Sequence, residues 1–507
     1  MSILCRILND ICRLLYKKEY KLFSQACNIE KIQAGYLADI LNRNASAEYG
    51  KKHSFADIRD YNDFAKNVPL TTYNDYKPYI DKICDGKKNI LTTENVLLFE
   101  LTSGSSDGKK LIPYTATLKK EFQRGIKAWL YDIYTNVEGV CDGKSYWSIT
   151  PVTSRKSFTD GGVPIGFEED SEYFGKIEKR IMDKVFAVDS SVKFSTDMDS
   201  FYMNTAKQLL KCRNLSLISV WNPTFLSILC RFIKENANKL TKEFNKKDRD
   251  RILNAVENER FDLVFPNIKT ISCWADGSAK DYISDIQRLF PDVYIQPKGL
   301  LATECFISFP LVNEQGSRLS IYSHFFEFRN ISNDKIYLTH QLEKGEYEVI
   351  ITTGGGFYRY CIGDIIEVLE TFEDRPPLIR FLRRKGIISD LFGEKLTEEF
   401  VNKVAESIGI KNNFYFLAPN ENRYCLYTTN TDITDDIIDN ALCESFHYDY
   451  CRSLGQLEKA RVVIVAGEPE KAYLSRLTSE GMRLGDIKPS HLSNRDGWEE
   501  WFKKGTD

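Results

Sequence analysis

A chain of 507 residues, 42% hydrophobic and 28% charged, can bury a large core, and at about 150 residues per domain it suggests two to four domains. A net charge of -3 with balanced acids and bases excludes a broad nucleic-acid surface, and the composition excludes disorder, so small molecules are the expected partners. Thirteen cysteines, scattered from Cys5 to Cys451 without a C-x-x-C, point to free thiols in a reducing compartment and away from a disulfide framework or a zinc site.

The chain opens with MSILCRILNDICRLLYKKEYKLF, where Ile3, Leu4, Ile7, Leu8, Ile11, Leu14 and Leu15 recur at helical spacing. Arg6, Asp10, Arg13 and Lys17 interrupt the run and no small-residue cleavage site follows. It reads as an amphipathic helix packed on the protein's own body, with attachment to a membrane surface as the weaker alternative. No stretch comes near the roughly 18 uncharged apolar residues of a membrane span, so the chain reads as soluble and cytoplasmic.

Short β-branched runs follow at residues 145–150 (SYWSIT), 217–221 (LISVW), 268–274 (IKTISCW), 293–296 (VYIQ) and 347–353 (YEVIITT). Helical patterns separate several of them, such as Leu118, Phe122, Ile126, Trp129, Leu130 and Ile133. This alternation predicts an α/β body with mixed, largely buried sheets flanked by helices. At residues 371–377 (TFEDRPP) the composition shifts, and after one more strand, LIRFL, a smaller pattern begins. It predicts a helix from about Thr397, strands at 414–418 and 424–429, a helix over 435–452 and a strand at 461–466. The expected division is a large body, residues 1–385, and a small mobile α+β lid, residues 386–507, hinged at Arg384-Lys385-Gly386.

Residues 100–115, ELTSGSSDGKKLIPYT, admit three chemistries. A serine-hydrolase elbow of the G-x-S-x-G type needs a helix directly after the serine, but Lys109, Lys110 and Pro113 follow. Nothing singles out a base among His53, His324, His340, His447 and His491. A kinase-like phosphate loop is one residue short and lacks Ser or Thr after its lysine. The third reading is a loop whose hydroxyls and backbone N–H groups wrap the phosphates of a nucleotide, with Gly104 and Gly108 allowing close approach. Alone, such a stretch is more often a solvated turn. Two further stretches weigh against that: Ala302-Thr303-Glu304 just after a strand, and YRYCIGD, residues 358–364, after a strand and Gly354-Gly355-Gly356. A carboxylate at a strand end suits magnesium, and Asp364 beyond a glycine suits a ribose diol. The run HFFEF, residues 324–328, alternates like a core strand, with Glu327 either a substrate contact or a paired glutamate.

TSGSSDGKKLIPYT resembles the first motif of the acyl-adenylate-forming superfamily, and most nearly that of the auxin-responsive Gretchen Hagen family of acyl acid amido synthetases. The likeness spans nearly the whole chain, through VPLTTYNDYKPYI, TDGGVPIG, LLATE, YRYCIGD, FLRRKG and GEKLTEE. It implies an enzyme that uses ATP and magnesium to convert a carboxylic acid to an acyl-AMP, which an amino acid or other amine then attacks to give an amide. By the same resemblance Thr102, Ser103, Gly104, Ser105 and Ser106 hold ATP phosphates, and Thr303 holds the α-phosphate or adenosine. Glu304 holds magnesium, Tyr358 the adenine, Asp364 and Arg384 the ribose, and Lys395 a phosphate. Leu300, Ser105, Cys361 and Arg383 depart from the family pattern, and Leu300 removes an aromatic wall of the nucleotide site. Trp147, Trp221 and Trp274 lie at predicted strand ends, where an acyl pocket is expected. The rival readings are a ligase passing its acyl group to coenzyme A or a carrier thiol, and a non-catalytic nucleotide-binding scaffold. The motifs do not encode the acid, the amine or the oligomeric state, and a monomer is compatible with all of them.

Overall fold

The computed structural model describes residues 3–101, 110–148, 157–166, 176–195, 197–385, 388–482, 484 and 487–504. Strands Lys144–Trp147, Leu215–Ser219, Thr270–Cys273 and Tyr294–Pro297 form a wholly parallel sheet in that order. The two central strands are buried at every position, as expected where helices cover both faces of a parallel sheet. Phe201 and Leu209 of helix Met198–Lys211 and Leu226 and Leu229 of helix Pro223–Glu235 share a core with Ile218 and Ile271 of these strands.

The second large sheet is antiparallel and seven-stranded, in the order Ser308–Pro310, Ser317–Leu319, Leu378–Arg384, Tyr360–Glu370, Gly345–Thr352, Phe325–Asn330 and Ile336–Leu338. Helix Ala116–Asn136 starts at Thr115, whose hydroxyl accepts the Leu118 N–H at 3.1 Å. It comes so close to the hairpin Leu301–Ala302/Cys305–Phe306 that a Cβ on Gly125 would fall 2.1 Å from the Phe306 ring. A smaller mixed sheet joins Leu111–Tyr114, Leu98–Leu101, Pro164–Ile165 and Ser157–Phe158.

Beyond Ile388, helix Glu398–Ser407 and the sheet of Tyr415–Asn420, Arg423–Thr428 and Arg461–Ile464 enclose a core of their own, including Val401, Leu417, Leu426 and Leu442. The opposite face of that sheet, with Phe416, Tyr427, Leu477 and Trp498 around it, joins the core of the parallel sheet. Asn222 also donates to the Ile487 carbonyl at 3.1 Å. The single helix expected over 435–452 is two, Asp435–Leu442 and Phe446–Ser453, because Ser445 between them takes an extended backbone (φ -75°, ψ 117°). Gly386, the expected hinge, lies outside the described residues.

The N-terminal helix Ile3–Ser24 packs on the body, but not by the face that its leucines and isoleucines suggest. Cys5, Asn9, Cys12, Tyr16 and Phe23 are buried, while Ile3 and Leu14 are 76% and 68% exposed. Asn9 explains the choice, because it donates to the carbonyls of Cys141 and Gly143 at 2.9 and 3.1 Å and fixes the helix on that side. Among the described residues no helix is long and apolar enough to cross a membrane. All thirteen cysteines are free thiols.

Candidate active site

The parallel sheet ends in a wall of large side chains. Hydrogen bonding continues one step past its strands: Ser148 N–H donates to the Ser219 carbonyl at 2.9 Å, Trp274 N–H to the Trp221 carbonyl at 2.8 Å, and Lys298 N–H to the Cys273 carbonyl at 2.8 Å. The ladder therefore brings Trp147, Trp221, Trp274 and Lys298, one from each strand end, to the lining of a single cavity. Carboxyl ends of parallel strands are where open α/β sheets bind ligands. Trp129 of helix Ala116–Asn136 adds a further wall, its indole N–H donating to the Gln296 side-chain oxygen at 2.8 Å. The Trp129 and Trp147 rings meet edge to face at 5.7 Å, and Trp221 and Trp274 stand 5.8 Å apart.

The other end of the cavity is charged. Glu304 sits at the turn of the hairpin, 5% exposed, next to Thr303, whose carbonyl accepts the Tyr114 hydroxyl at 2.7 Å. Asp364 is 2% exposed and is the register partner of Arg384 on the neighbouring strand, with Arg384 Nε 3.9 Å from its Oδ1. That Oδ1 has no hydrogen-bond partner among the described residues. Burial pushes the Glu304 carboxyl up; Arg384 and Lys110 oppose this and Asp364 adds to it. The Arg384 guanidinium is held above its ordinary value even though burial works against it, because Asp364 and Glu304 are close. Thr303, Glu304, Asp364 and Arg384, quoted from three separate stretches, all line this one cavity.

A buried network positions the hairpin. His324 Nε2 accepts the Phe306 N–H at 2.9 Å, which leaves the ring proton on Nδ1, 3.1 Å from Glu121 Oε2. Glu121 accepts from the Tyr36 hydroxyl at 2.5 Å and from the Gly354 N–H at 3.0 Å. His324 is thus a brace, fully buried, and Glu327 is a paired glutamate that receives Arg359 (Nη2 at 2.8 Å) and the Tyr61 hydroxyl (2.8 Å).

Two expected contacts are placed elsewhere. Tyr358 is wholly buried, stacked on Tyr49 at 5.2 Å with its hydroxyl donating to the Leu91 carbonyl at 2.9 Å, so it serves the tyrosine core and not an adenine. Lys395 is exposed in a left-handed turn (φ 48°) and does not line the cavity, because the preceding Glu394 turns inward to accept the Leu391 N–H at 2.6 Å. A different lysine is there. Lys488, from the C-terminal unit, lies 5.7 Å over the Trp274 ring and 5.4 Å over Phe381. Lys298 and Lys488 were both missed in sequence, since neither stands in a motif; a lysine directly after the run VYIQ and its proline was the one available signal. Thr102, Ser103, Gly104, Ser105 and Ser106 lie outside the described residues.

A second cavity adjoins the first through Trp274, Lys298, Arg384 and Lys488, and opens between the body and the C-terminal unit. Asp276 and Phe381 line it from one side, and Glu398, Arg495 and Trp498 from the other. Leu300 lines it too, its N–H donating to the Ser308 hydroxyl at 2.9 Å. Arg383 ties the two sides by ion pairs to Glu346 at 2.9 Å and Glu399 at 3.4 Å.

The same architecture occurs in solved structures. An acyl acid amido synthetase, AtGH3.15 in complex with 2,4-DB, superposes with a TM-score of 0.82 at 17% identity, covering 98% of this chain and 96% of its own. A 2-hydroxyisobutyryl-CoA ligase in the postadenylation state, in complex with 2-HIB-AMP, gives a TM-score of 0.52 at 12% identity, covering 96% and 93%. In sequence, the indole-3-acetic acid-amido synthetase GH3.4 of Arabidopsis thaliana is 23% identical over 435 residues, which cover 75% of this chain and 71% of that one. The model of the GH3 family N-terminal domain matches residues 19–257 and that of the GH3 family central domain matches residues 318–384, together more than half of the sequence. With its fold, its charged hairpin and these matches in agreement, the chain belongs to the GH3 family.

Proposed function

We propose that this protein is an AMP-forming acid–amine ligase, which adenylates a carboxylic acid with ATP and transfers the acyl group to an amino acid or other amine. The observation that carries the reading is the joining of buried Glu304 and the Asp364–Arg384 pair to a tryptophan-walled cavity at the carboxyl edge of a parallel sheet. An apolar acid fits the walls, and its carboxyl reaches the charged end. Asp364 Oδ1, a buried acceptor without a donor among the described residues, fits a ribose hydroxyl. Arg384 beside it orients the same sugar. Glu304 is the residue that would hold magnesium, a cation commonly bound by one or two carboxylates together with substrate phosphates. Bound there, the metal would draw off negative charge as pyrophosphate leaves.

Lys488 supplies the second positive charge for the departing phosphates, the role expected of Lys395, and Thr102 to Ser106 supply donors from the loop. The cavity between the body and the unit of residues 386–507 is the proposed entry for the amine. Rotation of that unit would exclude water during adenylation and admit the amine afterwards. Thirteen free thiols fit work in a reducing compartment such as the cytoplasm. The test is acid-dependent exchange of labelled pyrophosphate into ATP over a panel of acids, followed by product mass with amino acids or coenzyme A as acceptor. Exchange together with an amide product supports the reading. Thioester formation alone would replace it with the thiol ligase, and absence of exchange with every acid would leave the scaffold.

A further inference from the structure

The N-terminal helix Ile3–Ser24 leaves its apolar side uncovered. Ile3, Leu4, Ile7, Ile11, Leu14 and Leu15 are between 40% and 76% exposed, and at about 100° per residue they share the side opposite to buried Cys5, Asn9, Cys12, Tyr16 and Phe23. The helix cannot roll to bury them, because Asn9 is held by the carbonyls of Cys141 and Gly143 and because Tyr16 and Phe23 are sunk in the main core of the body. Scattered apolar side chains on a surface are ordinary, whereas a contiguous run along one helix marks an interaction site. The same helix is basic. Five basic and two acidic side chains give it a charge of +3, on a chain whose total is -3. Arg6 and Arg13 are paired with Asp142 and Asp10, but Lys17, Lys18 and Lys21 are exposed and pair with no carboxylate among the described residues.

We propose that this helix docks the protein flat on an anionic lipid surface, with its isoleucines and leucines at the acyl boundary and Lys17, Lys18 and Lys21 among the headgroups. An exposed apolar stripe beside an excess of cations has the chemistry for both layers. The lysine stems lie along the apolar surface while their ammonium groups reach lipid phosphate or carboxylate. A second copy of this chain is the other occupant that the stripe admits, since Leu4, Ile7, Ile11 and Leu14 are spaced as in a coiled-coil seam. Charge decides against it. The next two seam positions are Lys18 and Lys21, and pairing two such helices would set +3 against +3. An anionic surface turns the same cations into a gain of about fivefold in affinity for each lysine that reaches it.

The experiment is flotation of the full chain with large vesicles of phosphatidylcholine, alone or with about one-third phosphatidylserine. The wild type is expected to bind the anionic vesicles about tenfold or more tightly than the neutral ones, and to lose about tenfold between about 0.1 M and 0.5 M salt. Ile7→Gln/Leu14→Gln and Lys17→Ala/Lys18→Ala/Lys21→Ala should each weaken that binding by about tenfold or more, with the melting temperature unchanged, since all five side chains are exposed. Absence of wild-type binding overturns the proposal, as does equal affinity for the two vesicles or binding that either variant leaves intact. Sedimentation of the protein alone tests the rival. A wild-type dimer that Ile7→Gln/Leu14→Gln turns into a monomer, with no vesicle binding, would assign the stripe to self-association and overturn the proposal. If the apolar variant does not fold, the lysine variant and the salt series decide.

Discussion

Asp364 and Arg384 face each other as register partners on neighbouring antiparallel strands, so the sheet itself sets the 3.9 Å between carboxylate and guanidinium. No loop has to close to assemble this pair. Asp364→Asn is expected to lower pyrophosphate exchange about a hundredfold, on the scale of one lost charged contact of about 3 kcal/mol, chiefly as a higher KM for ATP. Kinetics at varied ATP on the folded variant check it. A fall confined to kcat would move Asp364 from the sugar to the reacting phosphates.

Glu304→Gln should separate activity from stability. Burial raises this carboxyl, so above the unfolded value of about 4.3 the native state pays for an ionised form that it disfavours, and stability is lost as pH rises toward the folded value. The amide removes that cost. The variant should melt higher than wild type at pH 7.5 and no higher near pH 4, while exchange falls by about a hundredfold. A variant that melts lower at both pH values would mean that Glu304 is a structural anchor.

Two lysines compete for one role. Lys488→Ala is expected to reduce exchange by about a hundredfold, whereas Lys395→Ala should stay within about twofold of wild type, since its side chain is exposed and away from the cavity. Measuring both under identical conditions settles the assignment. The reverse pattern would require the C-terminal unit to adopt a second pose during adenylation.

Asp132 offers a test remote from the site. It is 2% exposed, and burial pushes its carboxyl up to about 6, although the Val312 N–H and the Asn136 amide both donate to it at 2.6 Å. Between the unfolded value of about 3.9 and this value the native state holds a proton that the unfolded chain has released, so stability falls as pH rises through the window. Asp132→Asn removes the titration. Relative to wild type, the variant should gain on the order of 3 kcal/mol between pH 4 and pH 7, read from denaturant unfolding at each pH. A difference that does not change with pH would show that Asp132 is ionised in the fold.

Where the sequence was legible, a local rule was enough. The runs SYWSIT, LISVW, IKTISCW and VYIQ form strands because short stretches rich in β-branched and aromatic residues suit a largely buried sheet, and Trp147, Trp221 and Trp274 are found on the cavity wall as expected. Glu304 and Asp364, picked out by their place after strands and glycines, both line this cavity. Tyr358 misled because a tyrosine beside a glycine turn looks exposed, whereas Tyr49 and Phe55, some three hundred residues earlier by number, close over it. The N-terminal helix packs on the body as expected but by a face its apolar stripe does not mark, because that stripe is local whereas the carbonyls Asn9 meets are not. Lys488 carries no local signature and Lys298 only its place after VYIQ and a proline, since what marks both is the aromatic rings around them.

The cavity takes its aromatic walls and its charged end from different sheets, and that division bears on how such a protein can diversify. Trp147, Trp221, Trp274 and Lys298 each stand at or just past the end of a separate strand, while Asp364 and Arg384 belong to the other sheet. A single nucleotide change at one strand end can therefore reshape one side of the chamber and leave the nucleotide chemistry as it was. Lineages built on this plan can drift from one acid to the next in small steps, each still an active catalyst, with the reaction inherited and the diet renegotiated.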